Sequence, residues 1–465
     1  MKRTIATVLL LVWCSSAFAA RFPQNAPSTT NNDDSCDIGV YPAATLLLPY
    51  FEVDFTEPQS TARTTLFTIT NTSNVPQIAK VTLWTDWAFP VLDFNIFLTG
   101  YDVQALNLYD IIGRGIIANA STTGTSIDTT PGYLSLANTQ NPHFGPQVAL
   151  HCAAGALPGR IPPGLLTDIR IALTTGTSSG CGTARVGAVH SMAVGYATID
   201  VVSDCTQSIP PMAAYFDELL YDNVLIGDYQ QIDPNPSTGN YAGGNPLVHI
   251  RAIPDGGAAG AMPAVNLPYT FYDRLTPASG PRTRDRRQPL SSAFAARFIQ
   301  GGPGALNTNL KIWREAATGP AAKCADYRMN SQLPFAEMVR FDEHENATTF
   351  VNFSAEFPLF LDPIPPASSA PTSSTARFPP LAGTGDVGGW LYLNLHNDGV
   401  TAPISYTVPH KRATQNWVVV AMSAAGRFSV EMDASPLGNG CSPALPASDA
   451  NNGTMPIGPM PATNP

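Results

Sequence analysis

The chain has 465 residues, a formal net charge of −10, and 13 % charged against 44 % hydrophobic residues. The acidic balance excludes a nucleic-acid binder and a protein drawn to anionic membranes, and so low a charge content, against the usual ~25 %, leaves polarity to Ser, Thr, Asn and Gln. With 43 prolines and 37 glycines the composition suits an extracellular β protein of many turns, and at ~150 residues per domain the length predicts two or three domains.

Residues 1–19 read as a signal peptide. Lys2 and Arg3 precede a short apolar run, Ile5–Cys14, and Ala17-Phe18-Ala19 supplies small residues for cleavage. The run is well below the ~20 residues of a spanning helix, and no later stretch reaches that length, so no transmembrane segment is expected in the mature chain. It is expected to be secreted or held at the cell surface, with the periplasm as the other compartment open to it. Six cysteines follow the leader: Cys36, Cys152, Cys181, Cys205, Cys324 and Cys441. None is spaced as CxxC, so after export they predict disulfides rather than a zinc or redox site, with fifteen pairings open.

Residues 20–40 form a flexible polar segment, and 41–253 an N-terminal β-sandwich region. Tyr41–Asp54 reads as a strand buried on both faces, because Leu46–Leu48 is apolar without a break. From Ala62 to Gly100 the two-residue period is plainest: Phe67 and Ile69 oppose Thr64, Thr68 and Thr70, then Ala79, Val81 and Leu83 oppose Lys80, Thr82, Trp84 and Asp86, and Phe94, Ile96 and Leu98 form a third row. Tyr101–Ile112 is ambiguous between strand and helical turn. Residues 119–165 are loop-rich, with a short strand near Tyr133–Leu136. Leu166–Thr175 and Arg185–Ser203 read as long strands, the second with a bulge at Gly195 that swaps faces. Met212–Tyr221 is the best short helix.

Residues 254–290 lack periodicity and read as a linker or long loop; they carry the basic cluster Arg282, Arg284, Arg286 and Arg287. A C-terminal β-rich region spans 291–441. It opens on SSAFAARF, a repeat of residues 15–22, and holds strands at Asn309–Arg314, Thr348–Phe353, Gly389–His396, Asn416–Met422 and Gly426–Asp433, the last two forming a hairpin. Residues 442–465 read as a disordered tail. The fold class expected is mainly β: antiparallel β-sandwich domains, Ig-like or jelly-roll-like, with a few short helices.

The sharpest polar cluster is Arg340-Phe341-Asp342-Glu343-His344-Glu345. Asp342 with His344 could hold a metal, and Asp342, Glu343 and Glu345 are the suspects for acid and base in a hydrolase; a solvated acidic turn facing the arginines is the plainer reading. Asp233-Pro-Asn235-Pro-Ser237 lacks the glycine and glutamate of a calcium loop and reads as a turn. His190-Ser191 lacks the glycines of a nucleophile elbow. Gly301-Gly302-Pro303-Gly304 lacks the Lys-Ser/Thr of a phosphate loop and is also a turn. Two rows can bind a ligand through a flat ring flanked by polar groups: Trp84 with Asp86, and Trp390 with Tyr392. A sugar fits such a row, although a covering sheet would produce the same pattern. Neither a cofactor nor a metal is expected.

The segments TLLLPYFEVD, TLFTITNTS, AKVTLWTDW, NIFLTGYDV, NPLVHIRAIP, RDRRQPL and RFDEHEN resemble those of a family of exported bacterial β-rich proteins with no assigned activity. The resemblance implies no reaction, ligand or site. The NTS-turn-strand pattern is also similar to Ig-like bacterial surface modules. The sequence therefore predicts an exported non-enzymatic surface, matrix or adhesion protein whose partner is an extracellular glycan or another surface protein. A secreted polysaccharide hydrolase using a carboxylate pair is the alternative.

Overall fold

The computed structural model describes residues 39–74, 76–86, 89–117, 159–203, 205, 215–220, 222–234, 241–252, 287, 290–291, 293–299, 306–314, 337–345, 347–350, 388–394, 416–424 and 428–437. The leader, the strand expected near Tyr133–Leu136, Arg282, Arg284, Arg286, the Gly301–Gly304 turn and the tail lie outside these residues.

The first ten strands are β1 (Thr45–Val53), β2 (Thr64–Asn71), β3 (Gln77–Thr85), β4 (Pro90–Leu98), β5 (Val103–Asn107), β6 (Ala193–Val202), β7 (Leu225–Ile226), β8 (Asp228–Asp233), β9 (Tyr241–Pro246) and β10 (Val248–Ile250). They form two antiparallel sheets: a central one ordered β10-β1-β6-β3-β4, and an outer one ordered β5-β2-β8-β9 with β7 also paired to β2. Between them lies one core. Leu46, Leu48, Val81, Phe94 and Ile199 of the central sheet face Phe67, Ile69, Leu106 and Tyr229 of the outer one.

The central sheet is covered on its other face too, which is why β1, β3 and β6 are buried along their whole length. Leu47, Ile78, Trp84, Phe97, Tyr196 and Val248 point away from the first core into a second, shared with the C-terminal strands. These are β11 (Ala293–Ile299), β12 (Leu306–Arg314), β13 (Glu337–Asp342), β14 (Ala347–Phe350), β15 (Gly388–Asn394), β16 (Asn416–Ala424), β17 (Phe428–Asp433) and β18 (Ser435–Pro436). They make a sheet ordered β14-β13-β15-β11-β18 and a smaller one ordered β12-β16-β17. The expected hairpin of β16 and β17 is present, pairing Val420 with Met432 and Met422 with Val430. The architecture is thus mainly antiparallel β in sandwich layers, as the alternating rows predict.

Two local expectations are corrected. Residues 163–175 form a helix, α1 (Pro163–Thr175), not a strand. The alternation of Ile169, Ile171 and Leu173 imitates a strand, but Leu166, Ile169 and Leu173 recur at helical spacing and meet the core. Proline occupies the first helical position, and Gly176 caps the end at φ +65°. A Cβ there would lie 1.8 Å from the Gly187 carbonyl oxygen, so a side chain is excluded twice over. The helix expected over Met212–Tyr221 is the short α2 (Tyr215–Glu218) among the described residues.

The face-swapping bulge is in β1, not at Gly195. The β1–β6 register shifts between Leu48 and Phe51, at Pro49, which has no N–H to give the ladder. Leu46 and Leu48 before the bulge face the same core as Phe51 and Val53 after it, leaving Tyr50 and Glu52 on the opposite face. Gly195 is in regular pairing on β6; a Cβ there would meet the Trp84 carbonyl oxygen at 2.1 Å.

Candidate functional site

The acidic cluster lies on the turn from β13 to β14. Asp342 begins a β-turn: its carbonyl accepts from the Glu345 amide at 3.1 Å and its carboxylate from the His344 amide at 2.9 Å. Glu343, His344 and Glu345 are exposed around that turn, pointing into solvent rather than across a cleft. Among the described residues no three His, Cys, Asp or Glu side chains gather closely enough to hold a metal ion. Arg287, expected to face this turn, is buried elsewhere: it bridges Asp200 at 2.7 Å beside Thr45 and is 1 % exposed. A linker reading does not apply to this residue.

The aromatic rows separate. Trp84 is 1 % exposed, stacked on Tyr196 with its indole N–H donated to Thr198 at 2.9 Å. Tyr392 is 3 % exposed and packs on Val339. Trp84 is covered by the C-terminal strands and Tyr392 packs among Val339, Phe341 and Leu437, so both side chains are buried rather than presented to a ligand. Trp390 is 40 % exposed and lies flat on its cross-strand partner Phe341, centroids 4.2 Å apart. Asp86 accepts from the imidazole of His190 at 2.7 Å and from the Ala188 amide at 3.1 Å, while Thr85 donates to the Val186 carbonyl. The pair clasps the irregular segment 186–190 against the end of β3. No serine or cysteine hydrogen bond to His190 completes a hydrolytic triad among the described residues.

Two further polar sets are largely buried, although the Arg63 side chain in the first is 31 % exposed. Burial opposes the charge of Arg63, yet the carboxylates of Glu52 and Asp233, each at 2.6 Å, hold its guanidinium above the ordinary value. Tyr50 donates to Glu52, and Lys311, paired with Glu431, lies 4.2 Å over the Tyr50 ring. These bonds tie the central sheet to the outer sheet and to β12.

A groove of about 410 Å³ opens on the solvent side of the outer sheet. Its floor follows from strand register: Asn107 and Gln230 flank Leu66, and Ala105 pairs with Thr68, whose hydroxyl meets Asp228 at 2.7 Å. Asp110, Ile116 and Ile117 from the segment after β5 line it too. That segment begins as a π-helical turn, Tyr109–Gly113, and Arg170 of α1 donates to the carbonyls of Ile112 and Gly113. Asp110 is itself engaged by Arg114 at 2.8 Å and by Gln59. The groove offers amide, hydroxyl and carboxylate groups over a small apolar floor.

No protein-family model, curated protein or solved structure matches the chain. The site therefore stands on its own geometry. None of the groove residues was singled out from sequence. The available signal was the outward row of Thr68 and Thr70, but which strands flank it depends on a pairing between β2 and β8 that spans more than 160 residues.

Of the six cysteines, Cys181 and Cys205 fall among the described residues and the other four lie outside them. Among the described residues no helix is long and apolar enough to cross a membrane.

Proposed function

We propose that the protein is an exported, non-enzymatic surface or matrix component that holds an uncharged extracellular glycan in the groove over β5, β2 and β8. The observation that carries this reading is the groove floor, where Asn107, Gln230, Thr68 and Asp228 present neutral and anionic hydrogen-bonding groups around Leu66. Such a set suits a polyhydroxylated ligand, whose hydroxyls both donate and accept and whose ring faces cover apolar carbon. It opposes anionic polymers, because two carboxylates line it. The leader-like first 19 residues and the six cysteines that follow support export and disulfide pairing. The splayed Glu343, His344 and Glu345 count against the hydrolase alternative, whose carboxyl pair would need a separation of about 5–10 Å across a cleft.

The test is a glycan array with the purified mature chain, run beside Thr68→Arg, which fills the groove, and the double variant Asp342→Asn with Glu343→Gln. Binding lost in the first variant and retained in the second supports the reading. Failure to bind any glycan, or polymer cleavage abolished by the double variant, overturns it.

A further inference from the structure

On the strand next to one edge of the central sheet, a lysine with no solvent exposure lies between a carboxamide and a carboxylate. Lys80 on β3 is directly opposite Asn95 on β4 and Asp200 on β6. Its exposure is 0 %, and that of Asn95 is 4 %. Asp93, two residues before Asn95 and on the same face of β4, places Oδ2 2.9 Å from Lys80 Nζ. The next cross-strand row, Phe97, Ile78 and Val202, is apolar and buried, which excludes water from that side. Asp200 is taken up by Arg287, Thr45 and Tyr215, so Asp93 is the carboxylate that serves the amine.

We propose that Lys80 and Asn95 react with each other, joining β3 to β4 through an amide bond between their side chains. Directly opposed residues on one face hold their Cβ atoms about 5 Å apart, a gap that a lysine chain and a carboxamide span together. Fixing the two groups in a dry site replaces an encounter from solution with a unimolecular step, the condition under which unactivated amides react. Asp93 draws a proton from the ammonium. Nζ then bonds to Cγ of Asn95 and gives up a second proton, and as the Cγ–Nδ2 bond breaks Asp93 passes both protons in turn to Nδ2, which leaves as ammonium. A lysine ammonium and a carboxamide thus become a secondary amide and an ammonium ion, with nothing oxidised or reduced and no co-reactant consumed. The product ties an edge strand of the central sheet to its neighbour. The inference is independent of the groove and of its ligand.

The experiment is intact mass spectrometry of the full mature chain after reduction and denaturation, followed by tryptic mapping. The expected result is a mass short by one ammonia and a branched peptide joining the Lys80 and Asn95 segments. Asn95→Ala and Lys80→Arg should each abolish the branch, and Asp93→Asn should leave both side chains unreacted in a chain that still folds. A full mass with free Lys80 and Asn95 in the map overturns the proposal. So does a loss of water, which would place the bond at Asp93 instead.

Discussion

The indole of Trp84 lies on the ring of Tyr196 with centroids 5.6 Å apart and planes 10° from parallel, and the edge of Trp313 closes on the same tyrosine at 6.0 Å. The stack joins β3 to β6 and both to β12, so it belongs to two sheets at once. Trp84→Ala should therefore lower unfolding free energy by about 3–5 kcal/mol, the range for truncating a buried large aromatic. Trp390→Ala, at the surface on Phe341, should cost no more than about 1 kcal/mol beyond its own lost contact. Urea titration of the two variants separates these outcomes.

Arg287 satisfies Asp200 inside the second core. Arg287→Met removes the cation and leaves the carboxylate with Thr45 and Tyr215 as its donors. Breaking a buried pair from one side typically costs about 3–5 kcal/mol. Asp200→Asn with Arg287→Met should recover a large part of that loss, and thermal unfolding of the single and double variants measures the recovery.

Asp433 carries a pH dependence whose sign is opposite to that of a salt-bridged carboxylate. Burial raises its carboxyl to about 7; the hydrogen bond from Trp417 opposes the rise and Glu431 adds to it. Because the folded state binds this proton more tightly than the unfolded chain, its stabilisation is complete below the unfolded value near 4 and is lost as pH rises through 7. Asp433→Asn should flatten that part of the stability profile and exceed the parent at pH 8 by roughly 1–3 kcal/mol. Chemical denaturation from pH 4 to 8 checks both slope and sign.

His190→Ala should loosen the segment 186–190 without unfolding the sandwich, since Asp86 keeps the Ala188 amide while losing the imidazole. The expected cost is about 1–2 kcal/mol, read most directly as faster hydrogen exchange at the amides of Val186 and His190, which bond to Gly176 and Thr174.

Alternation made the strands around Phe67, Val81 and Val420 legible because each has a consistent apolar row. It failed at Ile169–Leu173, where strand and helix spacing coincide for five residues, and at Pro49, where the bulge hides inside a run that is apolar on both faces. The interior charges were less legible still. Lys80, Thr82 and Trp84 read as a half-polar face because a single sequence does not say that a later stretch of strands will cover it. The groove was invisible for the same reason, its three floor strands being brought together by long-range pairing.

Because the central sheet supplies one wall to each of two interiors, the N-terminal half of the chain owns the first interior but only one side of the second. Residues 41–253 expressed alone would turn Leu47, Trp84 and Tyr196 outward as a sticky plate, so such a fragment should self-associate, and the intact chain should melt in a single cooperative step rather than two.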